Sequence, residues 1–491
     1  MPFPPTNERL RSRRRFLTYG LGLAVAWGCR RVTPPEPPGE LTGLTLGEAS
    51  DLLKSGRVSS VDLTEACLAR IDRFDPGLNA FITVTADEAI RTARECDAER
   101  GRGASVGPLH GIPIALKDNI DTAGIRTTGA SAVFEHRIPA DDAEVARRLR
   151  NAGAVLVGKL NLHEFAYGGS STVSHFGTMR NPWSLDRVTG GSSGGPAAAV
   201  AAGLCFAALG TDTAGSVRGP AAHCGIVGLK PTYGLVSTRG VLTLSWTLDH
   251  VGPMTRTVRD AALMLDAIAG YDPLEPTSVD RPVPDYAGAL RTQTSNLRIG
   301  TPRTPFYDNL DTDVAAAVDQ ALGVLDTLTA SRADVTLPAS GSPATIWDAE
   351  ASVYHAEWFA ASPELYQPST RATLERAAGA PAPAYAAARR EVDLLRREIS
   401  PVFDNVDVLV LPTMKAAAGL IEGAGGPGRG NNNVAFDVFG LPAISVPCGF
   451  SAAGLPIGLQ IVAAPWAETT VLALAHAYEQ AAGWHTMRPD L

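Results

Sequence analysis

The sequence predicts an α/β protein in which helices cover a central sheet. Residues 112–116 and 154–157 are apolar runs with the length of buried strands, and residues 141–152 have the periodicity of an amphipathic helix. Such alternation of strands and helices is typical of a sheet with parallel strands. With 491 residues, 45% of them hydrophobic, the chain can bury a large core, and a single large α/β domain fits this length.

Helices are predicted to precede this sheet. Thr45 and Glu48 form a capping-box pattern, and apolar residues follow at helical spacing. A second helix is expected at about 61–72, and Thr85 opens a third. These segments should form a helical lead-in to the core.

The amino terminus has the pattern of an export signal. The paired arginines Arg13 and Arg14 precede a short apolar run at 21–27, and together they resemble a twin-arginine signal. A cleavage site before Cys29 would make that residue a lipid anchor. The prolines that follow indicate a tether. The alternative is a basic tail that is never cleaved.

The expected layout is an export signal over 1–28, a Pro-rich tether over 29–41 and one folded domain over 42–491. This predicts a periplasmic or cell-envelope protein, or a cytoplasmic one if the signal does not function. The net charge is −8, and without the basic first 28 residues it is −12. An acidic body of this kind argues against nucleic acid as a partner.

Two glycine- and serine-rich turns are the most informative part of the sequence. The first is Gly190-Gly191-Ser192-Ser193-Gly194-Gly195, and the second is Gly210-Thr211-Asp212-Thr213-Ala214-Gly215-Ser216. Upstream, Lys117 follows the predicted strand at 112–116. This combination resembles the amidase signature family, whose members are serine hydrolases with a Ser–Ser–Lys triad and no histidine. The resemblance covers about residues 42–480 and implies that family's fold, with a large mixed sheet surrounded by helices.

The resemblance implies a role for each of these residues. Ser216 is the nucleophile, Lys117 is a base that must be neutral at rest, and Ser192 carries the proton between them. In the family a cis peptide bond precedes the bridging serine, which here is Gly191–Ser192. The resemblance also implies an oxyanion hole made of backbone N–H groups, those of Thr213, Ala214, Gly215 and Ser216. Four further residues are expected to support the site: Gly191, Ser193, Asp212 and Arg218.

Lysine usage supports the assignment of the base. Of 43 basic residues only five are lysines, so arginine supplies most of the positive charge. A lysine retained in a buried glycine-rich setting can lose its proton, which arginine cannot do. Lys117 fits this role, whereas Lys159 and Lys230 are expected to be ordinary buried partners.

One departure from the family pattern concerns the nucleophile turn. The family usually has Gly-Gly-Ser, and here the sequence is Ala214-Gly215-Ser216. An alanine there requires an ordinary φ or a strained backbone.

Three other interpretations remain open from the residues. Gly190-Gly191-Ser192-Ser193-Gly194 also matches the Gly-x-Ser-x-Gly pattern of an α/β-hydrolase, with His476 or His485 downstream as its base. The glycine turns could cradle a phosphate, or the chain could be an inactive scaffold subunit. A metal site is not predicted, because the histidines at 163, 175, 223 and 250 lack a ligand motif.

The expected function is hydrolysis of a carboxylic amide to an acid and ammonia or an amine, through an acyl-enzyme on Ser216. No cofactor or metal is implied, and the partner is a small-molecule amide bound by a monomer or homodimer. The family also includes the glutamine-hydrolysing subunit of transfer-RNA amidotransferases. Export would separate the chain from such partner subunits, which disfavours that role.

Overall fold

A mixed sheet of eleven strands forms the centre of the computed structural model, which describes residues 40–104, 106–341, 343–424 and 430–491. Across the sheet the strand order is β1-β3-β2-β4-β6-β5-β10-β11-β9-β7-β8. β2 runs parallel to both β3 and β4, whereas the pairs from β4 to β9 are antiparallel. The strands are β1 Phe81–Val84, β2 Pro113–Lys117, β3 Val155–Leu160, β4 Ala207–Asp212, β5 Val227–Lys230, β6 His250–Thr255, β7 Arg298–Thr301, β8 Ser331–Asp334, β9 Val408–Pro412, β10 Ala443–Phe450 and β11 Pro456–Ala463.

Helices surround this sheet, as predicted for the fold class. Within the described residues they are α1 Leu46–Lys54, α2 Ser60–Leu78, α3 Ala86–Gly101, α4 Glu144–Asn151, α5 Gly194–Ala201, α6 Arg218–Cys224, α7 Val258–Ile268, α8 Tyr286–Ala289, α9 Arg303–Phe306, α10 Thr312–Asp326, α11 Ala344–Ala361, α12 Pro368–Ala377, α13 Ala382–Glu398, α14 Val434–Val438 and α15 Glu468–Ala482.

The predicted helical lead-in is present. Thr45 caps α1, with both halves of the capping box formed with Glu48. The helices α2 and α3 follow, and α2 is longer than predicted at both ends. The four-residue strand β1 between them was not predicted from the sequence. It pairs with β3 at the edge of the sheet.

The predicted strand–helix–strand segment is also present, with shifted ends. The helix α4 begins at Glu144, because Ala143 has an extended backbone with ψ of 148°. The strand β3 continues to Leu160, so Lys159 lies within the sheet. The predicted export signal and most of the tether fall at 1–39, outside the described residues.

Both faces of the sheet are buried in its central strands, whereas the edge strand β8 is exposed. In β2, Ile114 and Leu116 belong to one hydrophobic cluster and Ala115 to another. In β9, Val410 and Leu411 likewise belong to different clusters. Because successive strand residues point to opposite faces, each face packs against its own layer of side chains.

The sheet brings the predicted catalytic segments together. β2 and β4 are parallel neighbours, so their carboxyl ends lie at the same edge. Lys117 is the last residue of β2, and Asp212 is the last residue of β4. Loops that leave this edge are where α/β sheets place their ligand sites.

No helix in the described part of the chain combines the length and apolarity needed to cross a membrane.

The two-sided core makes a stability prediction. Leu459 in β11 is fully buried, and Leu459→Ala should lower the free energy of unfolding by about 2–5 kcal/mol, because the cavity that remains adds to the lost burial. Urea unfolding followed by circular dichroism measures this. Leu274 is 71% exposed, so the matched change Leu274→Ala should have little effect. Equal losses for both variants would contradict the assignment of the core.

Candidate active site

Lys117 is completely buried, and its ammonium nitrogen contacts two hydroxyl groups. Its Nζ lies 2.7 Å from Oγ of Ser192 and 2.7 Å from Oγ1 of Thr211. Burial lowers the pKa of Lys117 to about 7, although the carboxylates of Asp212 and Asp249 act in the opposite direction. A substantial fraction of Lys117 can therefore be neutral near physiological pH.

The first glycine-rich turn presents Ser192 to Lys117. The Gly191–Ser192 peptide bond is cis, as the resemblance implied. A Cβ atom at Gly191 would lie 2.8 Å from the backbone carbon of Gly169, so only glycine fits this close approach. The adjacent Ser193 exchanges hydrogen bonds with the backbone of Thr211, at 3.1 and 3.3 Å.

The second glycine-rich turn carries Ser216 and connects β4 to α6. The Ser193 N–H donates to the backbone oxygen of Ser216 at 3.2 Å, which joins the two turns. Gly215 has a φ of +107°, and a Cβ there would lie 2.5 Å from Asn433. Ala214 does not have a positive φ, so the alanine that stands here in place of the family's usual glycine has an ordinary backbone conformation.

Asp212 holds the backbone of this turn. Its carboxylate accepts hydrogen bonds from the N–H groups of Gly215 at 2.5 Å and Val217 at 3.1 Å. The Gly215 N–H is therefore committed to Asp212. Because this N–H is already engaged, the predicted donors to an oxyanion that remain are the N–H groups of Thr213, Ala214 and Ser216.

Arg218 is fully buried and connects Asp212 to the carboxylate of Asp437, which is distant in sequence. It lies 2.9 Å from Asp212 and 2.6 Å from Asp437, and it also donates to Gln460 at 2.7 Å. Burial would raise the pKa of Asp212, but Arg218 outweighs burial and holds that pKa well below its usual range. Burial raises the pKa of Asp437, against the opposing effect of Arg218. The nucleophile turn is thus joined to α14 and β11.

Several residues of the site were not predicted from the sequence. Thr211, the second contact of Lys117, lies in the second glycine-rich turn, where the sequence pattern indicates no role for it. Asn119 donates to that same hydroxyl at 3.2 Å. Asp437 and Gln460 lie more than 200 positions downstream, and only the fold brings them to Arg218. Their proximity carries no local sequence signal.

The other two buried lysines have structural contacts, as expected. Lys159 lies 3.3 Å from Asp118, and its Nζ donates to the backbone oxygen of Ile120. Lys230 donates to the backbone oxygens of Pro231 and Leu441. Among the described residues no group of histidine, cysteine and acidic side chains has the arrangement of a metal site.

A cavity of about 390 Å³ opens beside Ser216. Both turns contribute to its wall, together with residues from several other parts of the chain. Its lining consists of Ala166, Tyr167, Gly168, Gly169, Gly190, Gly191, Thr213, Ala214, Gly215, Ser216, Gly219, Leu244, Trp347, Thr373, Met414, Asn431, Asn433 and Val434. Its volume lies in the usual range for small-molecule sites, roughly 300–1,000 Å³.

Comparison with known proteins identifies the class of this site. Residues 62–472 match the family model described as Amidase. The chain belongs to this family, the amidase signature enzymes.

The chain is similar to two types of protein, glutamyl-tRNA(Gln) amidotransferase subunits and a peptide amidase. Over 92% of the chain and 99% of the relative, it is 43% identical to a glutamyl-tRNA(Gln) amidotransferase subunit from Moorella thermoacetica. The crystal structure of native peptide amidase from Stenotrophomonas maltophilia matches with a TM-score of 0.82 and 36% identity, covering 91% of this chain and 98% of that one. The crystal structure of a glutamyl-tRNA(Gln) amidotransferase subunit from Thermotoga maritima matches with a TM-score of 0.77 and 34% identity, covering 92% and 98%.

These relatives correct the prediction of export, which is wrong. Relatives 41–43% identical to the chain are subunits of glutamyl-tRNA(Gln) amidotransferase, and this similarity contradicts a periplasmic or cell-envelope location. The twin arginines and Cys29 lie outside the described residues. A basic stretch before a few apolar residues is a short pattern that also fits an unprocessed tail. The relatives' names further show that protein partners occur in the family, beside small-molecule amides.

The family and fold exclude the α/β-hydrolase interpretation. Ser192, the serine of the Gly-x-Ser-x-Gly pattern, contacts Lys117. His476 lies on α15, where its ring is 3.7 Å from Glu479. His485 follows α15 in a short 3₁₀ helix.

The buried arginine makes a second prediction. Arg218→Met should lower the free energy of unfolding by about 3–5 kcal/mol, because it leaves two buried carboxyl groups without their partner. The half-exposed pair of Arg332 and Asp326 provides a control, and Arg332→Met should cost about 1 kcal/mol or less. Urea unfolding of both variants is the measurement. A loss for Arg218→Met no larger than the control would contradict the bracing role.

Proposed function

We propose that this chain is an amidase that hydrolyses a carboxylic amide to an acid and ammonia or an amine, through an acyl-enzyme on Ser216. The observation that carries the proposal is the buried contact between Lys117 and Ser192, next to a turn that exposes Ser216 to a cavity. A lysine with a pKa of about 7 is matched to proton transfer near neutral pH.

In the proposed acylation, the net result is that the proton of Ser216 moves to the departing nitrogen and the amide C–N bond is replaced by an ester bond to Oγ of Ser216. Neutral Lys117 takes the proton of Ser192, and Ser192 takes the proton of Ser216 as Oγ of Ser216 attacks the amide carbon. The tetrahedral intermediate then collapses and its C–N bond breaks. The proton on Lys117 returns through Ser192 to the departing nitrogen, which leaves as ammonia or an amine.

Deacylation repeats the same transfers with water. A water molecule loses a proton through Ser192 to Lys117 and attacks the ester carbon, and the bond from that carbon to Oγ of Ser216 breaks. The proton returns to Ser216, and the carboxylic acid is released. The oxyanion of each intermediate is assigned to the N–H groups of Thr213, Ala214 and Ser216, because that of Gly215 donates to Asp212.

The preferred substrate is a small linear carboxamide, handled by a monomer or homodimer without a metal or cofactor. A second candidate function is that of an amidotransferase component that hydrolyses glutamine. The 43% identity to the Moorella thermoacetica protein over nearly its full length favours this second role. The export argument against it no longer applies.

Removal of the nucleophile is the first test. Ser216→Ala should reduce amide turnover by roughly 10⁴-fold or more, because no acyl-enzyme can form. The fold should survive, since only one small hydroxyl is lost. Released ammonia measures turnover, and a fluorophosphonate followed by peptide mass spectrometry identifies the labelled serine.

The exposed Ser295 supplies the matched control. Ser295→Ala should keep native turnover and native labelling at Ser216. Labelling of Ser192 or Ser193 in the native chain would contradict Ser216 as the nucleophile.

The protonation state of Lys117 is the second test. Because Lys117 must be neutral to accept a proton, kcat/KM should rise as pH passes about 7 and then level off. Lys117→Arg should be about as inactive as Lys117→Ala, since guanidinium stays charged. The measurement is amide turnover against pH, from about pH 5 to 10.

Histidine variants complete this test. His476→Asn and His485→Asn should retain the rise and its midpoint. A Lys117→Arg enzyme with near-native turnover, or a folded but inactive histidine variant, would refute the Ser–Ser–Lys assignment.

A further inference from the structure

The described part of the chain places no formally charged side chain in the wall of the cavity at Ser216. None of the described residues that line it is an aspartate, glutamate, lysine, arginine or histidine. Its polar side chains are hydroxyls and amides, together with the phenol of Tyr167. A second cavity of about 750 Å³ shares five of its lining residues. Glu422 lines this second cavity but not the first, and Ser216 lines only the first, so the uncharged chamber is the one next to Ser216.

The carboxyl groups around the chamber already have partners. Asp249 accepts hydrogen bonds from the Thr213 hydroxyl at 2.6 Å and from the N–H groups of Leu244 and Ser245 at 3.0 Å. Asp348, next to the lining residue Trp347, accepts from the Tyr167 phenol. Asp212 is likewise engaged by Arg218 and by its own turn. None of these three is left to pair with a charged substrate.

Apolar side chains supply the remaining wall. Trp347 and Leu244 line the chamber, together with Met414 and Val434. Leu244 is buried, and Trp347 is half-buried on α11, against the cluster that includes Phe306. Aromatic and thioether groups make favourable contacts with apolar ligands of varied shape.

We propose that the acyl group of the substrate is uncharged and largely apolar, of the type in aliphatic or arylalkyl carboxamides, and that glutamine is not a substrate. This inference rests on the proposed amidase function. The α-ammonium and α-carboxylate of glutamine would have to leave water for a chamber whose described lining offers neither a counter-ion. An unpaired buried charge is strongly disfavoured, whereas a methyl group in the same place is not.

Pentanamide and L-glutamine form a matched pair of substrates. Both present a primary amide on a chain of similar length, and they differ in the charged end. The expected kcat/KM for pentanamide exceeds that for glutamine by about 100-fold or more, because glutamine must desolvate two charges. Phenylacetamide should also be hydrolysed, with Trp347 against its ring. Released ammonia is measured for each amide.

Two variants of similar chemistry locate the effect in the chamber. Trp347→Ala should lower kcat/KM for phenylacetamide about 10-fold and leave acetamide nearly unchanged, since acetamide is too small to need the indole. Trp246 is 42% exposed and does not line the chamber, so Trp246→Ala should change neither. Thermal unfolding confirms that each variant is folded.

Fluorophosphonate labelling separates the two levels of proposal. If Ser216 is not labelled and no amide is cleaved, the amidase function itself fails. If Ser216 is labelled but glutamine is cleaved as well as pentanamide, the substrate inference is overturned while the amidase function stands. The inference is also overturned if Ser216 is labelled but neither pentanamide nor phenylacetamide is hydrolysed and neither protects Ser216 from the label.

Discussion

The burial of Lys117 is the constraint on which the site depends. A lysine at a solvated strand end would remain protonated near pH 7 and could not accept a proton. Here β2 is buried along its whole length, and the groups in contact with Nζ are hydroxyls of Ser192 and Thr211. Hydroxyls can exchange hydrogen bonds with the amine, whereas a directly paired carboxylate would stabilise its charged form. In the proposed mechanism, the same burial lets Lys117 act as a base and holds it beside Ser192, which relays the proton.

A negative charge near such a lysine has to be compensated. Asp212 ends the strand next to β2, and its field favours protonation of Lys117. Arg218 balances this carboxylate at 2.9 Å and is itself shared with Asp437. The ion pair thus holds the turn that carries Ser216, through Asp212, and gives the buried carboxylate of Asp212 a direct positive partner. Lys159, which lies 3.3 Å from the carboxylate of Asp118, has an ion-pair environment instead.

Local patterns predicted several elements around the site, and the family resemblance predicted the mixed sheet, but neither gave the long-range contacts. The capping box of Thr45, the strand that ends at Lys117 and the two glycine-rich turns were all visible in the sequence, because each depends on neighbouring residues. The bracing of Arg218 by Asp437 depends on strand order across the sheet and was not visible. The export prediction was wrong for the opposite reason, since a short pattern was given a meaning that the relatives of the chain contradict.

The comparisons and the cavity bear on different parts of the reaction. Peptide amidase and the glutamyl-tRNA(Gln) amidotransferase relatives both match this chain over nearly their whole length. In the proposed mechanism, Lys117, Ser192 and Ser216 act on the amide group, which every substrate of an amidase contains. The proposed acyl side lies against residues such as Leu244, Trp347 and Met414, which line the cavity from loops and helices far apart in sequence. Identity over the whole chain does not separate the residues that act on the amide group from those that line the acyl side. It therefore supports the proposed chemistry of Ser216 better than it supports a particular substrate.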